Sequence, residues 1–166
     1  MSQQTLDPLE PWPDTVDWRP VSPRLLWLRL IVLSVWTLIF VIASLIAAVA
    51  VDGLVLLGTA AILVLAALRA VFVARSVRSW GYAERAEDLL VRHGLLVRRL
   101  SIVPYARMQF VDVTAGPLER ALGIATVTLH TAAAASDATV PGLEAPEATR
   151  LRDRLAALGD ARTEGL

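Results

Sequence analysis

Two stretches of the chain gather side chains capable of chemistry. IVPYARMQFVDV (102–113) alternates in the manner of a β-strand. That alternation sets Tyr105, Arg107 and Gln109 in a row on one face, with Ala106, Met108 and Phe110 on the other as core. Just upstream, DLLVRHGLLVRR (88–99) carries Arg92, His93, Arg98 and Arg99 around a glycine. Convergent arginines hold phosphate, and a Tyr-Arg-Gln row can meet a ligand or a neighbouring chain. These seven residues are the candidate lipid or partner contacts. The plainer alternative is that the arginines are solvated strand-face residues near an anionic leaflet. Residues 78–166 contain 11 Arg and 11 acidic residues, so this part of the chain is neutral. Pro104 lacks a ladder donor and marks a strand entry or bulge, which assigns the row to fold specification or partner contact before ligand binding.

Other chemistry has less support. His93 and His130 stand 37 positions apart, with neither a carboxylate nor a second His beside either at ligand spacing. His93 reads as a turn residue and His130 as a strand-face residue. The chain has no nucleophile elbow, phosphate loop, HExxH or dinucleotide fingerprint. Glu87-Asp88 sits beside a hairpin and reads as solvation. With no Cys, thiol catalysis, disulfides and thiolate metal sites are excluded. No catalytic residue, cofactor or metal is expected, and the protein is not expected to be an enzyme. A formal net charge of zero gives no basic field for nucleic acid. All 16 basic residues are Arg, which reflects the codon bias of a GC-rich genome rather than a function.

The elements that must position these residues begin with a membrane segment. Hydrophobic residues make up 55% of the 166-residue chain, and the excess lies towards its N-terminus. Residues 30–51 form a run of 22 without a charge, enough to span a bilayer core of roughly 20 helical residues. Residues 54–68 add 15 more, and a second span over 54–74 is allowed if Arg69 snorkels to the headgroups. Asp52-Gly53 forces a tight turn between them, giving a transmembrane hairpin over 24–76 with spans at 25–51 and 54–74. A cleaved signal peptide fits less well, because the run is long, starts after a polar lead and is followed at once by another. Arg19, Arg24 and Arg29 precede the first span and Arg69, Arg75 and Arg78 end or follow the second. Positive charge inside places both termini in the cytoplasm, at the cell membrane. Ser34, Thr37, Ser44, Gly58 and Thr59 suit helix contacts, and no mid-span charge offers an ion pathway. Residues 1–23 are acidic and rich in Pro, which predicts an extended, mobile tail.

A domain over 77–160 follows, with 161–166 as a short tail. Residues 80–85 alternate as a half-buried strand, and 88–99 predict two strands around His93-Gly94. Residues 102–114 are one strand, or two joined at an irregularity near Pro104. GPLERALG (116–123) predicts a short turn of helix, IATVTLHT (124–131) a strand, 131–137 a loop and ATVPGL (138–143) a last strand. Residues 145–159 form a closing helix with Ala148, Leu151, Leu155 and Leu158 as its apolar stripe, Arg150, Arg152, Asp153 and Arg154 wet, and Gly159 past its end. The fold class is therefore a membrane α-helical hairpin plus a small antiparallel sheet capped by a helix.

This order, with the phrases WRPVSPR (18–24), LLVRHGLLVRRLSIVPYARMQFVDV (89–113), GPLERALGIATVTLHTA (116–132) and VPGL (140–143), resembles the bacterial pleckstrin-homology-like (PH-like) membrane proteins of the YdbS type. The resemblance implies a bent antiparallel sheet or barrel of about seven strands capped by a C-terminal helix. It implies no catalytic residues. Some eukaryotic PH domains bind phosphoinositide headgroups through basic residues in the first hairpin. By that analogy, the corresponding turn here offers Arg92 and His93, with Arg98 and Arg99 on the returning strand. The expected role is a protein-interaction or scaffold module at the membrane, with anionic headgroup binding by 92–99 as the alternative. Expected partners are the lipid bilayer and other membrane proteins, among them larger relatives with repeated PH-like domains, and a second copy of the chain.

Overall fold

Two apolar stretches separate a short strand from the sheet it completes. In the computed structural model, which describes residues 16–50, 54–131 and 137–163, β1 (Arg19–Pro20) is followed by α1 (Arg24–Ala50) and α2 (Leu54–Arg78). Then come β2 (Gly81–Glu84), β3 (Asp88–His93), β4 (Arg99–Pro104), a 3₁₀ turn (Tyr105–Arg107) and β5 (Met108–Thr114). The chain continues through α3 (Pro117–Ala121), β6 (Ile124–Thr131), β7 (Ala138–Glu144) and α4 (Ala145–Thr163). The Asp52-Gly53 turn, the tail before Val16 and most of the 131–137 loop lie outside the described residues.

The chain divides into two units. Leu26–Arg75 is the helical pair, and the described residues before and after it form the other unit. Both helices contain segments, Arg24–Ala47 and Leu56–Arg78, long and apolar enough to cross a membrane. Large apolar side chains stay uncovered along them, such as Trp36, Ile46 and Leu57, as lipid-facing surfaces require. A hydrogen bond between the Ser44 and Thr59 hydroxyls (2.8 Å) joins them, so two of the expected small polar contacts are made.

The β-rich unit holds two antiparallel sheets, ordered β1-β2-β3-β4 and β5-β6-β7. Leu89, Leu90 and Val91 of β3 are consecutive and all buried, the mark of a strand covered on both sides. β6 keeps its expected alternation: Ala125, Val127 and Leu129 are buried and Thr126, Thr128 and His130 partly exposed. α4 lays Ala148, Leu151 and Leu155 into the core at complete burial. Each such Leu contributes on the order of 2 kcal/mol of burial. The expected helix cap, the short helical turn and seven strands are therefore all present.

Four expectations are revised. Residues 18–25, assigned to a tail and to the start of the hairpin, belong to the sheet unit. Arg19 pairs with Tyr82 and Pro20 with Gly81, while Val21 and Leu25 are buried. The helical pair therefore occupies the connection between the first two strands. The hairpin bearing Arg92 to Arg99 is the β3–β4 connection, so the first-hairpin analogy does not hold. The Tyr105-Arg107-Gln109 row does not form either. A 3₁₀ turn advances three residues per turn and breaks the period of two, sending Tyr105 into the core and Arg107 out. A register shift between Met108 and Phe110 bypasses Gln109, and Phe110 is exposed instead of core. Finally, α4 runs through Gly159 to Thr163, because the residues after that glycine are helix-compatible and no proline stops them.

Candidate functional site

The β3–β4 hairpin is closed by the His93–Arg99 pair, leaving residues 94–98 as its loop. Arg98 therefore sits in the loop and not on the returning strand. Gly94 takes φ +114°, and a Cβ there would lie 2.0 Å from the Val97 carbonyl oxygen, so the loop accepts only glycine. The Ser79 hydroxyl accepts a hydrogen bond from the Gly94 N–H (3.2 Å), which pins the base of the loop.

The expected arginine cluster is divided. Arg92 lies over the Trp18 ring at 4.5 Å and across the Cα of its cross-strand partner Gly81, so it packs the sheet. His93 stacks on Trp80 with ring centroids 4.5 Å apart. Burial and the nearby Arg99 hold its imidazole below the usual range, and its Nδ1 is buried without a hydrogen-bond partner. It is a neutral packing group. Arg98 and Arg99 are exposed at the loop, and Leu96 and Val97 beside them are 82% and 67% exposed. Tyr105 is structural: its hydroxyl donates to the Arg85 carbonyl (3.1 Å) and its N–H to that of Glu87 (3.0 Å). Arg107 and Gln109 are both exposed, Arg107 in the 3₁₀ turn and Gln109 at the register shift.

His130 has a partner that spacing did not suggest. Its Nδ1 lies 2.9 Å from Asp137, whose other oxygen accepts the Thr131 N–H at 2.8 Å, and its ring stacks on Phe110 at 4.4 Å. The Thr131 amide, with His130, holds the Asp137 carboxyl below its usual range. This contact fastens the start of β7 to the end of β6. Among the described residues no group of three His, Cys or acidic side chains is placed to hold a metal.

The largest charge cluster among the described residues was not foreseen. Arg150 forks onto Glu147, with Nε 2.9 Å from Oε2 and Nη2 2.7 Å from Oε1, and also reaches Glu84 at 2.5 Å. Arg154 meets Glu84 at 3.2 Å, and Arg19 meets both carboxylates at 3.4 and 3.2 Å. Tyr82 donates to Glu147 at 2.6 Å. Arg150 and Arg154, expected to stay wet, are engaged because the Glu84 side chain is only 6% exposed and needs its charge balanced. Beside them Asp17, Trp18, Arg19, Glu84 and Arg154 line a polar cleft of about 430 Å³. The cluster joins β1, β2 and α4, elements up to 128 positions apart. Only the i,i+3 spacing of Glu147 and Arg150 hinted at it.

The cluster makes stability depend on pH. Arg150 above all, with help from Tyr82 and Arg19, lowers the Glu147 pKa from 4.5 to about 2. Burial and the Glu147 carboxylate push the Tyr82 phenol up to about 12, so it remains a donor. For a depressed carboxylate the stabilisation is complete above the unfolded value and is lost as pH falls through the folded one. The free energy of unfolding should therefore drop between pH 4.5 and 2, by about 1–2 kcal/mol once solvent screening is allowed for. Glu147→Gln should remove that component; an unchanged slope in the variant would show that Glu147 does not supply it.

A family model described as Bacterial PH domain matches residues 25–159. The transmembrane protein YdbS of Bacillus subtilis (strain 168) is 36% identical over 100 residues, covering 59% of this chain and 62% of that protein. The chain thus spans about three-fifths of the curated relative it matches. No solved structure matches.

Proposed function

The chain belongs to the bacterial PH domain family, and from that premise we propose that it is a multi-pass membrane protein whose PH-like domain works at the cytoplasmic surface as a protein-interaction or scaffold module. One observation carries this reading: α1 and α2 lie between β1 and β2, strands paired in one sheet. A pair of spans that starts and ends in the same sheet must begin and finish on the same side of the bilayer. Arg19 and Arg24 before the pair and Arg75 and Arg78 at its end favour the cytoplasmic side. A domain tied to the membrane at two points stays at its surface, as a scaffold needs. Its exposed apolar positions, Ile102, Phe110 and Leu118, suit docking by another membrane protein, a larger PH-like relative or a second copy of the chain. The arginine-bearing loop favours a second reading, anionic lipid contact.

Because the chain has no Cys, single cysteines report cleanly. A cysteine at Asp153 should react with membrane-impermeant maleimide only after cells are opened; labelling in intact cells would reverse the orientation. A photo-crosslinker at Phe110 should capture a defined protein in membranes, and Arg98→Gln with Arg99→Gln should leave the adduct unchanged. If no protein adduct forms and only lipid is captured, the scaffold reading is lost.

A further inference from the structure

Leu96 is 82% exposed, more than any large apolar side chain on the two helices, of which Leu57 at 69% is the highest described. Such exposure at the end of a loose loop would mean little, but this loop is held at its base. The His93–Arg99 pair closes it, Gly94 fits only as glycine, and Ser79 bonds the Gly94 N–H. Ser79 is one position past the last residue of α2, and Trp80, the next, stacks on His93. The base of the hairpin is therefore held by the two residues that follow α2 in the chain.

The composition of the loop narrows what can cover it. Two aliphatic side chains, Leu96 and Val97, are followed immediately by two exposed arginines, and residues 89–111 contain no acidic residue. Hydrocarbon beside cationic donors, within roughly 5–10 Å, is the layering of a bilayer surface, where acyl chains give way to phosphates. A protein docking site would more typically centre on Trp, Tyr or Phe, and the loop has none.

We infer that the β3–β4 loop is a membrane-surface contact, with Leu96 and Val97 entering the acyl boundary of the bilayer and Arg98 and Arg99 meeting its anionic phosphates. The inference rests on the reading that α1 and α2 cross that same bilayer. The tether makes the contact intramolecular, so even a weak insertion is populated. It orients the domain; it does not select a headgroup, since Arg92 and His93 are committed to packing and no convergent pocket remains.

The test uses the full chain, one copy per nanodisc, with an environment-sensitive label on a single cysteine. In discs of phosphatidylcholine and phosphatidylglycerol, a label at Leu96→Cys should be quenched by acyl-chain spin-labelled lipid, while one at Asp153→Cys on α4 should not. With the label at Val97→Cys, adding Leu96→Ser should lower the docked-to-undocked ratio roughly tenfold. Arg98→Gln and Arg99→Gln should each lower it roughly fivefold in anionic discs and little in neutral ones. Equal quenching at positions 96 and 153 would overturn the inference. So would shielding at position 96 that appears only when discs hold several copies, which would mark a protein contact. A label at Trp36→Cys separates the two levels: quenched there but not at position 96, the helices cross and only the loop contact fails; quenched at neither, the membrane reading itself fails.

Discussion

A chain beginning at Ser76 is expected not to fold, whereas residues 16–25 joined to Ser76 by a flexible linker of roughly ten residues should give a soluble, cooperatively unfolding domain. The shorter fragment holds six of the seven strands and α4, and would be the natural choice for isolating the domain. It lacks β1, however, and the buried side chains of Val21 and Leu25. Their burial is worth about 3–6 kcal/mol together, a large part of the roughly 5–15 kcal/mol that holds a domain of this size. Losing Trp18 from Arg92 and Arg19 from Glu84 and Glu147 deepens the deficit. Circular dichroism and thermal unfolding of the two chains decide the matter. Matching melting transitions would show that β1 is dispensable.

The second large effect is expected at Gly142. This residue has φ +66° in β7, where a side chain costs roughly 1–2 kcal/mol. A Cβ there would stand 2.6 Å from the Leu25 Cβ, an atom at the root of its side chain that cannot swing away. The Ser22 N–H, bonded to the Gly142 carbonyl at 2.9 Å, holds the two segments at that spacing. Relief requires moving the start of α1 from β7, at about 1–3 kcal/mol for overpacking. Gly142→Ala should therefore destabilise the linked soluble domain by about 2–5 kcal/mol, against less than about 0.5 kcal/mol for Thr139→Ala, an exposed site on the same strand. Denaturant titration of the three proteins measures it, and equal midpoints would mean that the seam yields easily.

What could be read from the chain follows from the range of each signal. The apolar runs, the alternation of β6 and the Ala148-Leu151-Leu155 stripe are local patterns, and each is present as expected. β1 is two residues, Arg-Pro, with no period to detect; only its pairing with Tyr82 and Gly81 makes it a strand. Tyr105 resembled a strand-face residue because a 3₁₀ turn of three residues is shorter than the window that reveals alternation. The Glu84 cluster was hidden for another reason. Its members lie on three elements far apart in sequence, and a lone Glu beside Arg85 looks like any surface charge until Arg150 and Arg154 arrive from α4. The loop at 94–98 was placed correctly as a turn, but its width was not. LLV after the glycine reads as strand, and only the His93–Arg99 register leaves it unpaired.

The position of the helices also sets a timetable for biogenesis. During synthesis β1 emerges 61 residues before the strand that pairs with it, Pro20 against Gly81. At roughly 5–20 residues per second it waits on the order of 3–12 s while both apolar segments are synthesised. In the proposed two-span topology, failure of one segment alone to insert would leave β1 and β2 on opposite sides of the bilayer, and the sheet could not close. Domain closure thus reports on the pair as a unit: once β1 and β2 have met, one segment cannot have inserted without the other, and until they meet the core around Leu25 stays open to proteases.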